Sequence, residues 1–439
     1  MTFKRIISVI MAALMTMMLF GCTAKVPQSG SEDTQAPAVT DDPSAAADEG
    51  RAYLNATGEV KPIAVYASFE QEADYRYDER YTSGNNAFAV TMTRALESAY
   101  GKDWSGVCSP LSLQLALQIL ANGGDDETAR LMTEVVSGGM SREDVNTSTA
   151  KLLKIFGSAK GVSVNNAVII SKDYRISEDF AETAGEYYNT AIGVLDFMDA
   201  KAAAAQINDW IAEHTEGLID SLLSDDDITT ETVMVLLNTL SLKLEWDKEF
   251  TAFRELKEFY GTEGTQSVSM IRRSDELAYG SFDEGEIAVI PYSGDEYRMA
   301  VLLPSEGYTP YEAVCALMGR WNECEAKQGT VMMPKVELDT ELDVMQMLDA
   351  LGIEKAVKGN YTGLLAGDVD TPVSKILQGA KLSVDEYGTL AAAATAVISY
   401  KGLPLPDEFT LECNRPYAMV IYNVETGAVL FVSIVNNVE

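Results

Sequence analysis

Histidine is almost missing from this chain of 439 residues; His214 is the only one. A Ser-His-Asp or Cys-His catalytic site would have to use it. It sits in Ala212-Glu213-His214-Thr215-Glu216 with no nucleophile motif nearby, the setting of an ordinary helix-surface residue. There is no H-E-x-x-H pair, Walker loop or G-x-G-x-x-G turn to hold zinc or phosphate. The chain is therefore not read as an enzyme, and neither a metal nor a cofactor is expected. Cysteine is also scarce. Cys22, Cys108, Cys315, Cys324 and Cys413 are widely spread, with no C-x-x-C pair and no zinc spacing. Cys108, Cys315, Cys324 and Cys413 are read as small buried side chains, with a Cys315–Cys324 bridge as the alternative. Positive charge is the third shortage. Lys and Arg number 33 against 67 Asp and Glu, a net charge of −34, which argues against a nucleic-acid partner. No basic cluster marks a sulfated-polysaccharide site either. Acids are so common that closeness in sequence picks out no acid/base pair.

The N-terminus carries a targeting pattern. Lys4 and Arg5 precede an apolar stretch, Ile6 to Phe20, that ends at Leu19-Phe20-Gly21-Cys22. Basic residues, a short apolar core and a small residue before the cut describe a secretory signal over residues 1–22, too short for a comfortable membrane span. The Leu-x-Gly-Cys ending resembles a bacterial lipobox. That resemblance implies acylation of Cys22 and a lipid anchor holding the exported protein at the cell surface. Phe20 is larger than usual in such a box, and plain secretion with cleavage near Gly21 is the alternative. Residues 23–80 read as an acidic, low-complexity tether followed by a transitional stretch. Up to about Gly50 the tether is Ser, Ala, Asp, Thr and Pro with almost no large apolar residue, so it cannot bury enough surface to fold. Val60 to Ala67 has the composition of a pairing strand. Residues 81–439 then form one domain.

Helices and strands interleave within that domain. Phe88, Met92, Ala95, Leu96 and Ala99 recur at helical spacing. Ser109 and Pro110 supply an N-cap and a first helical position for Leu111 to Leu120. Ile207, Trp210, Ile211, Leu218 and Ile219 mark one face of a further helix that is expected to end at Asp225–Asp227. Val162 to Ile170, Val233 to Leu244, Ile287 to Tyr292 and Arg298 to Leu303 signal strands. Phe409, Leu411 and Cys413 alternate with polar residues. Tyr417 to Val424 and Val429 to Val435 form a hairpin. The class is α+β.

One segment fits none of these elements. Val384 to Thr395 reads Val-Asp-Glu-Tyr-Gly-Thr-Leu-Ala-Ala-Ala-Ala-Thr. Gly388 before the alanines and Thr395, Val397 and Ile398 after them are poor company for a helix. Small side chains on an extendable segment suit a strand that slips between two others without forcing them apart.

Several motifs together resemble the serpin family, from about Asn85 to Val438. They are Val107-Cys108-Ser109-Pro110-Leu111-Ser112-Leu113, Gln206 to Ile211 with Thr215-x-Gly217-x-Ile219, and Leu237-Asn238-Thr239-Leu240 with Trp246. Asn414-Arg415-Pro416-Tyr417 and Val429-Leu430-Phe431 complete the set. The resemblance implies helices on a large mixed main sheet, smaller sheets and an exposed reactive loop. It places Ser109, Ser112, Asn238, Trp246 and Gln378 at the shutter and breach of the main sheet. Gln378 stands where the family often has His, and Gln can still donate and accept. Leu390 stands where the family usually has Glu, and Ser433 where Gly is common near the last strand.

The implied activity is suicide-substrate inhibition of extracellular serine proteases by a monomer. A protease attacks the loop, and the cut loop enters the main sheet as a new strand. The hinge would comprise Glu386, Gly388, Thr389, Ala391, Ala393 and Thr395. An inserting strand alternates its side chains, so Thr389, Ala391, Ala393, Thr395, Val397 and Ser399 would face the buried side, and Leu390, Ala392, Ala394 and Ala396 outward. Gly388 is read as freeing the backbone where the loop bends over. The family's spacing puts the reactive bond at Gly402–Leu403, which suits elastase- or subtilisin-like enzymes. A cut after Lys401 would suit trypsin-like enzymes, and one after Tyr400 chymotrypsin-like ones. The alternative function is a non-inhibitory surface lipoprotein of the same fold with a binding or adhesive role.

Overall fold

Helix starts fall where the sequence supplies capping side chains. In the computed structural model, which describes residues 61–65, 75–158, 160–224, 227–367, 373–389 and 406–438, Asp78 caps Glu79–Tyr100 and Ser109 caps Pro110–Gly123. Asp125, Ser177 and Asp199 do the same for Asp126–Val136, Glu178–Tyr188 and Ala200–His214. Each side chain accepts an otherwise unpaired N–H of the first turn. The helix Pro110–Gly123 is apolar on almost every side and correspondingly buried, as a helix enclosed between layers must be.

Two large sheets and a hairpin make up the β structure. The main sheet has the strand order Lys61–Val65, Thr190–Leu195, Val162–Ser171, Met234–Leu242, Lys375–Val384, Gly388–Thr389, Leu244–Glu245, with Val336–Asp343 paired to Lys375–Val384. The second runs Phe409–Glu412, Glu325–Pro334, Met270–Phe282, Gly285–Pro291, Tyr297–Pro304, Tyr417–Asn423, Val429–Val435, Gly106–Cys108, with Thr251–Ala252 against Met270–Phe282. The hairpin joins Lys257–Gly261 to Gly264–Val268. The main core lies between the second sheet, the helices and one face of the main sheet. A smaller apolar cluster lies on the other face, where Ile207, Trp210 and Ile211 of the helix Ala200–His214 pack over Ala167, Ile169, Val235 and Leu237.

Two sequence expectations need correcting. The helix carrying Trp210 ends at His214, well short of Asp225–Asp227. Glu216 and Gly217 both take positive φ (53° and 73°), which breaks the helix. Ile219, Leu222 and Leu223 still reach the same apolar cluster from an irregular segment. Cys108 and Cys413 are buried, but Cys315 and Cys324 are only half-buried; the alternative bridge between them is not formed, and all four described cysteines are free. The edge strand Lys61–Val65 pairs antiparallel with Thr190–Leu195, within the Val60 to Ala67 stretch whose composition suits a pairing strand.

Candidate functional site

The centre of the main sheet is an incomplete seam. Met234–Leu242 and Lys375–Val384 run parallel and pair from Lys375 opposite Val235 to Gly379 opposite Thr239. Beyond that point they part. At the far end Gly388–Thr389 lies antiparallel between Lys375–Val384 and Leu244–Glu245, the strand that follows Met234–Leu242, with Thr389 opposite Val384 on one side and Leu244 on the other. The seam is thus closed below by direct pairing and entered above by two residues.

Residues Asp385 to Thr389 are tied down at the seam's mouth. The Trp246 indole Nε1 donates to the Asp385 carbonyl at 3.0 Å, and the Trp246 and Phe250 N–H groups donate to the Tyr387 and Glu386 carbonyls, both at 2.8 Å. The Asp385 carboxylate accepts the Tyr387 and Gly388 N–H groups at 2.8 and 3.1 Å, the self-capped turn that Asp favours. Glu386 pairs with Lys335 at 2.5 Å. Trp246 stacks on Tyr292 with ring centroids 4.4 Å apart. The Tyr292 hydroxyl lies 2.6 Å from Thr389 Oγ1. Burial holds that phenol far above its ordinary pKa, against the opposing hydrogen bond from Thr389, so it stays protonated.

Gly388 is held in close packing at the mouth. Its backbone is not in the positive-φ region. A Cβ there would fall 2.0 Å from the Leu244 carbonyl oxygen and 2.8 Å from Glu245 Cα. In this arrangement, close approach to the neighbouring strand demands glycine.

A polar network closes the lower end. Gln378 and Asn238 face each other across the pairing. Gln378 Oε1 accepts the Ser109 N–H at 3.1 Å, and its Nε2 donates to the Ser109 carbonyl at 2.7 Å. Ser109 Oγ donates to the Leu430 carbonyl at 2.7 Å and accepts the Ser112 N–H at 3.1 Å. Ser112 Oγ donates to Asn238 Oδ1, and Asn238 Nδ2 donates to Asn166 Oδ1. Asn166 in turn donates to the Tyr188 carbonyl at 2.8 Å. The helix that starts at Ser109 therefore grips both strands of the seam through side chains that are at most 2% exposed. Every polar atom in such a buried chain needs its partner.

The structure thus gathers Glu386, Gly388, Thr389 and Trp246 at the mouth and Ser109, Ser112, Asn238 and Gln378 at the closed end. Cys22, Ala391, Ala393, Thr395, Tyr400, Lys401, Gly402 and Leu403 lie outside the described residues. Asn166, Tyr188, Tyr292, Lys335 and Asp385 belong to the site and were not anticipated. A buried-strand reading of Val162 to Ile170 leaves Asn166 as a conspicuous polar residue in an apolar run; nothing local marks Tyr292. His214 stacks on Trp210 at 4.3 Å, and its Nδ1 lies 2.8 Å from the Trp210 carbonyl.

A large mixed sheet with helices packed against it and a two-residue strand entering a central seam make up the architecture around the site. The serpin (serine protease inhibitor) signature matches residues 83–438, and the chain belongs to the serpin family. Human antithrombin-III is 27% identical, the match covering 86% of this chain and 89% of that one. A serpin-like protein of Methanosarcina acetivorans is 26% identical over 81% of this chain and 86% of its own. Among solved structures, the thermophilic serpin tengpin in its native state superposes with a TM-score of 0.77 at 24% identity, covering 86% of this chain and all of that one. Native protease nexin-1 with heparin gives 0.70 at 25% identity, over 82% and 99%. Serpins are mostly serine protease inhibitors rather than catalysts, and that general activity is what membership supports.

Proposed function

We propose that this protein inhibits extracellular serine proteases as a suicide substrate, with the segment after Thr389 as bait and the seam as the place where the cut segment goes. The observation that carries this reading is the fit between segment and slot. Continued residue by residue, the two pairings of Thr389 set Ala391 between Leu242 and Leu382, and Ala393 between Leu240 and Ala380. Thr395 then enters between Asn238 and Gln378, and Ser399 ends beside Met234, the first residue of its strand. The inner face of the incoming strand is small or uncharged at every position, so the core has no charge to bury.

Its outer face is not simply exposed. Leu222 covers Gly379 so closely that a Cβ there would meet Leu222 Cδ2 at 2.2 Å. Ala394 would come in beside Gly379, with Ala392 and Ala396 before and after it. Alanines at these positions suit passage beneath Leu222 and the helix Ala200–His214. The strand's length also leaves Tyr400 to Leu403 just past the slot, where the reactive bond is assigned, with Gly402–Leu403 first. We further infer export and acylation of Cys22, which would hold the inhibitor on a bacterial surface. A panel of elastase-, subtilisin- and trypsin-like enzymes tests the reading. One of them should form an SDS-stable complex, with the released peptide's mass giving the bond. Cleavage by all of them without any complex would contradict it.

A further inference from the structure

The front of the seam carries an ion pair that insertion would have to break. The helix Ala200–His214 and the segment after it ride on one half of the main sheet. Asn208 Oδ1 accepts the Leu222 and Leu223 N–H groups, both at 3.0 Å, and its Nδ2 donates to the Leu223 carbonyl at 2.8 Å. Leu222, Leu223 and Ile228 pack with Ile207 over Val235 and Leu237. Asp227 belongs to this unit, and its carboxylate accepts the Ser224 N–H and hydroxyl at 2.8 and 2.6 Å. Lys375 belongs to the other half. Its ammonium lies 2.9 Å from Asp227 and 3.1 Å from Asp343, which is on the next strand outward.

A strand added between Val235 and Lys375 moves the two halves apart by one strand spacing, about 4.8 Å. Asp343 moves with Lys375 and keeps its pair, whereas Asp227 is held back by Ser224 and Asn208. The Lys375–Asp227 contact cannot survive that separation. Continuing the register places Ile398 beside Lys375, so the contact lies at the last stage of entry.

We propose that Asp227–Lys375 is a latch across the seam that slows completion of insertion, making Lys375 a positioning residue for the rate of trapping. This rests on the insertion reading above. All three side chains are between 21% and 23% exposed, so the pair is partly shielded from salt.

The test adds a synthetic peptide of residues 388–399 to the full chain and follows its uptake on native gels. K375M and D227N should each speed uptake roughly two- to fivefold, the range a partly exposed ion pair supports. The double variant should be no faster than either single one, because both remove the same contact. K375R should keep the wild-type rate, and added salt should speed the wild type but not D227N. Wild-type uptake rates in K375M and D227N, or effects that multiply in the double variant, would overturn the latch. If the wild-type chain takes up no peptide and forms no protease complex, the insertion reading fails first and the latch with it.

Discussion

The Thr389 hydroxyl and the Tyr292 hydroxyl share a hydrogen bond of 2.6 Å, and neither residue has any exposed surface. Thr389 is the last described residue before the proposed bait segment, so this bond anchors the point from which the proposed register is counted. Tyr292 is itself clamped by its stack on Trp246.

Thr389→Arg should turn an inhibitor into a substrate. An unpaired guanidinium at a fully buried position costs several kcal/mol, enough to slow entry beyond deacylation of the protease. The measurement is the ratio of SDS-stable complex to cleaved protein. Complex at the wild-type yield would show that Thr389 does not enter facing the core.

Gly388→Ala should expel the hinge from the mouth. The added methyl meets backbone, not a flexible side chain, and overpacking of this kind costs about 1–3 kcal/mol. Limited proteolysis should cut the segment around Gly388 faster than in the wild type. An unchanged cleavage rate with an unchanged melt would mean the strands relax freely there.

Asn238→Ala should loosen the closed end. It removes the partner of Ser112 Oγ and of Asn166 Oδ1, and each buried group left unpaired costs about 1–3 kcal/mol. The urea midpoint should fall, and the protein should self-associate on mild heating as the seam opens to foreign strands. A midpoint within experimental error of the wild type would contradict the network's role.

Acid should destabilise the fold partly through Asp275. Burial opposes its ionised form, but hydrogen bonds from Lys248 at 2.6 Å and Arg273 at 2.9 Å outweigh it and hold the carboxyl below its usual range. Because the folded-state value lies below the unfolded one, the stabilisation is complete above the ordinary aspartate value of about 4 and disappears as pH falls through the folded value. Protonation also strips a partner from Arg273, which is buried. Asp275→Asn should flatten this part of the acid limb in a stability–pH profile. An unaltered limb would assign the acid sensitivity elsewhere.

Local signals made part of this molecule legible. Ser109-Pro110 announces its helix because capping is a one-turn event, and Tyr417–Asn423 with Val429–Val435 announces a hairpin because both strands are apolar around a short polar turn. The family motifs carried the architecture further than periodicity could. Met270–Phe282 is hard to read because Arg272, Arg273, Asp275 and Glu276 interrupt its alternation, and the partners Asp247 and Lys248 of Arg273 and Asp275 lie far back in the chain. Val336–Asp343 does alternate, as Val-Glu-Leu-Asp-Thr-Glu-Leu-Asp, and that signal was there to be used. The roles of Tyr292 and Asn166 were not readable, since each depends on a partner far away in the chain. For Gly388, sequence shows that a Cβ is absent, and the neighbouring strand shows what a Cβ there would meet.

The most direct test of the account is to nick the bait segment and melt the protein. The proposed insertion would fill the seam with a full strand, so the cleaved protein should unfold far above the intact one, well beyond the about 2–4 °C that a change of about 1 kcal/mol produces in a sizeable domain. An unchanged melting temperature after complete cleavage would contradict insertion and favour a binding protein that shares the fold.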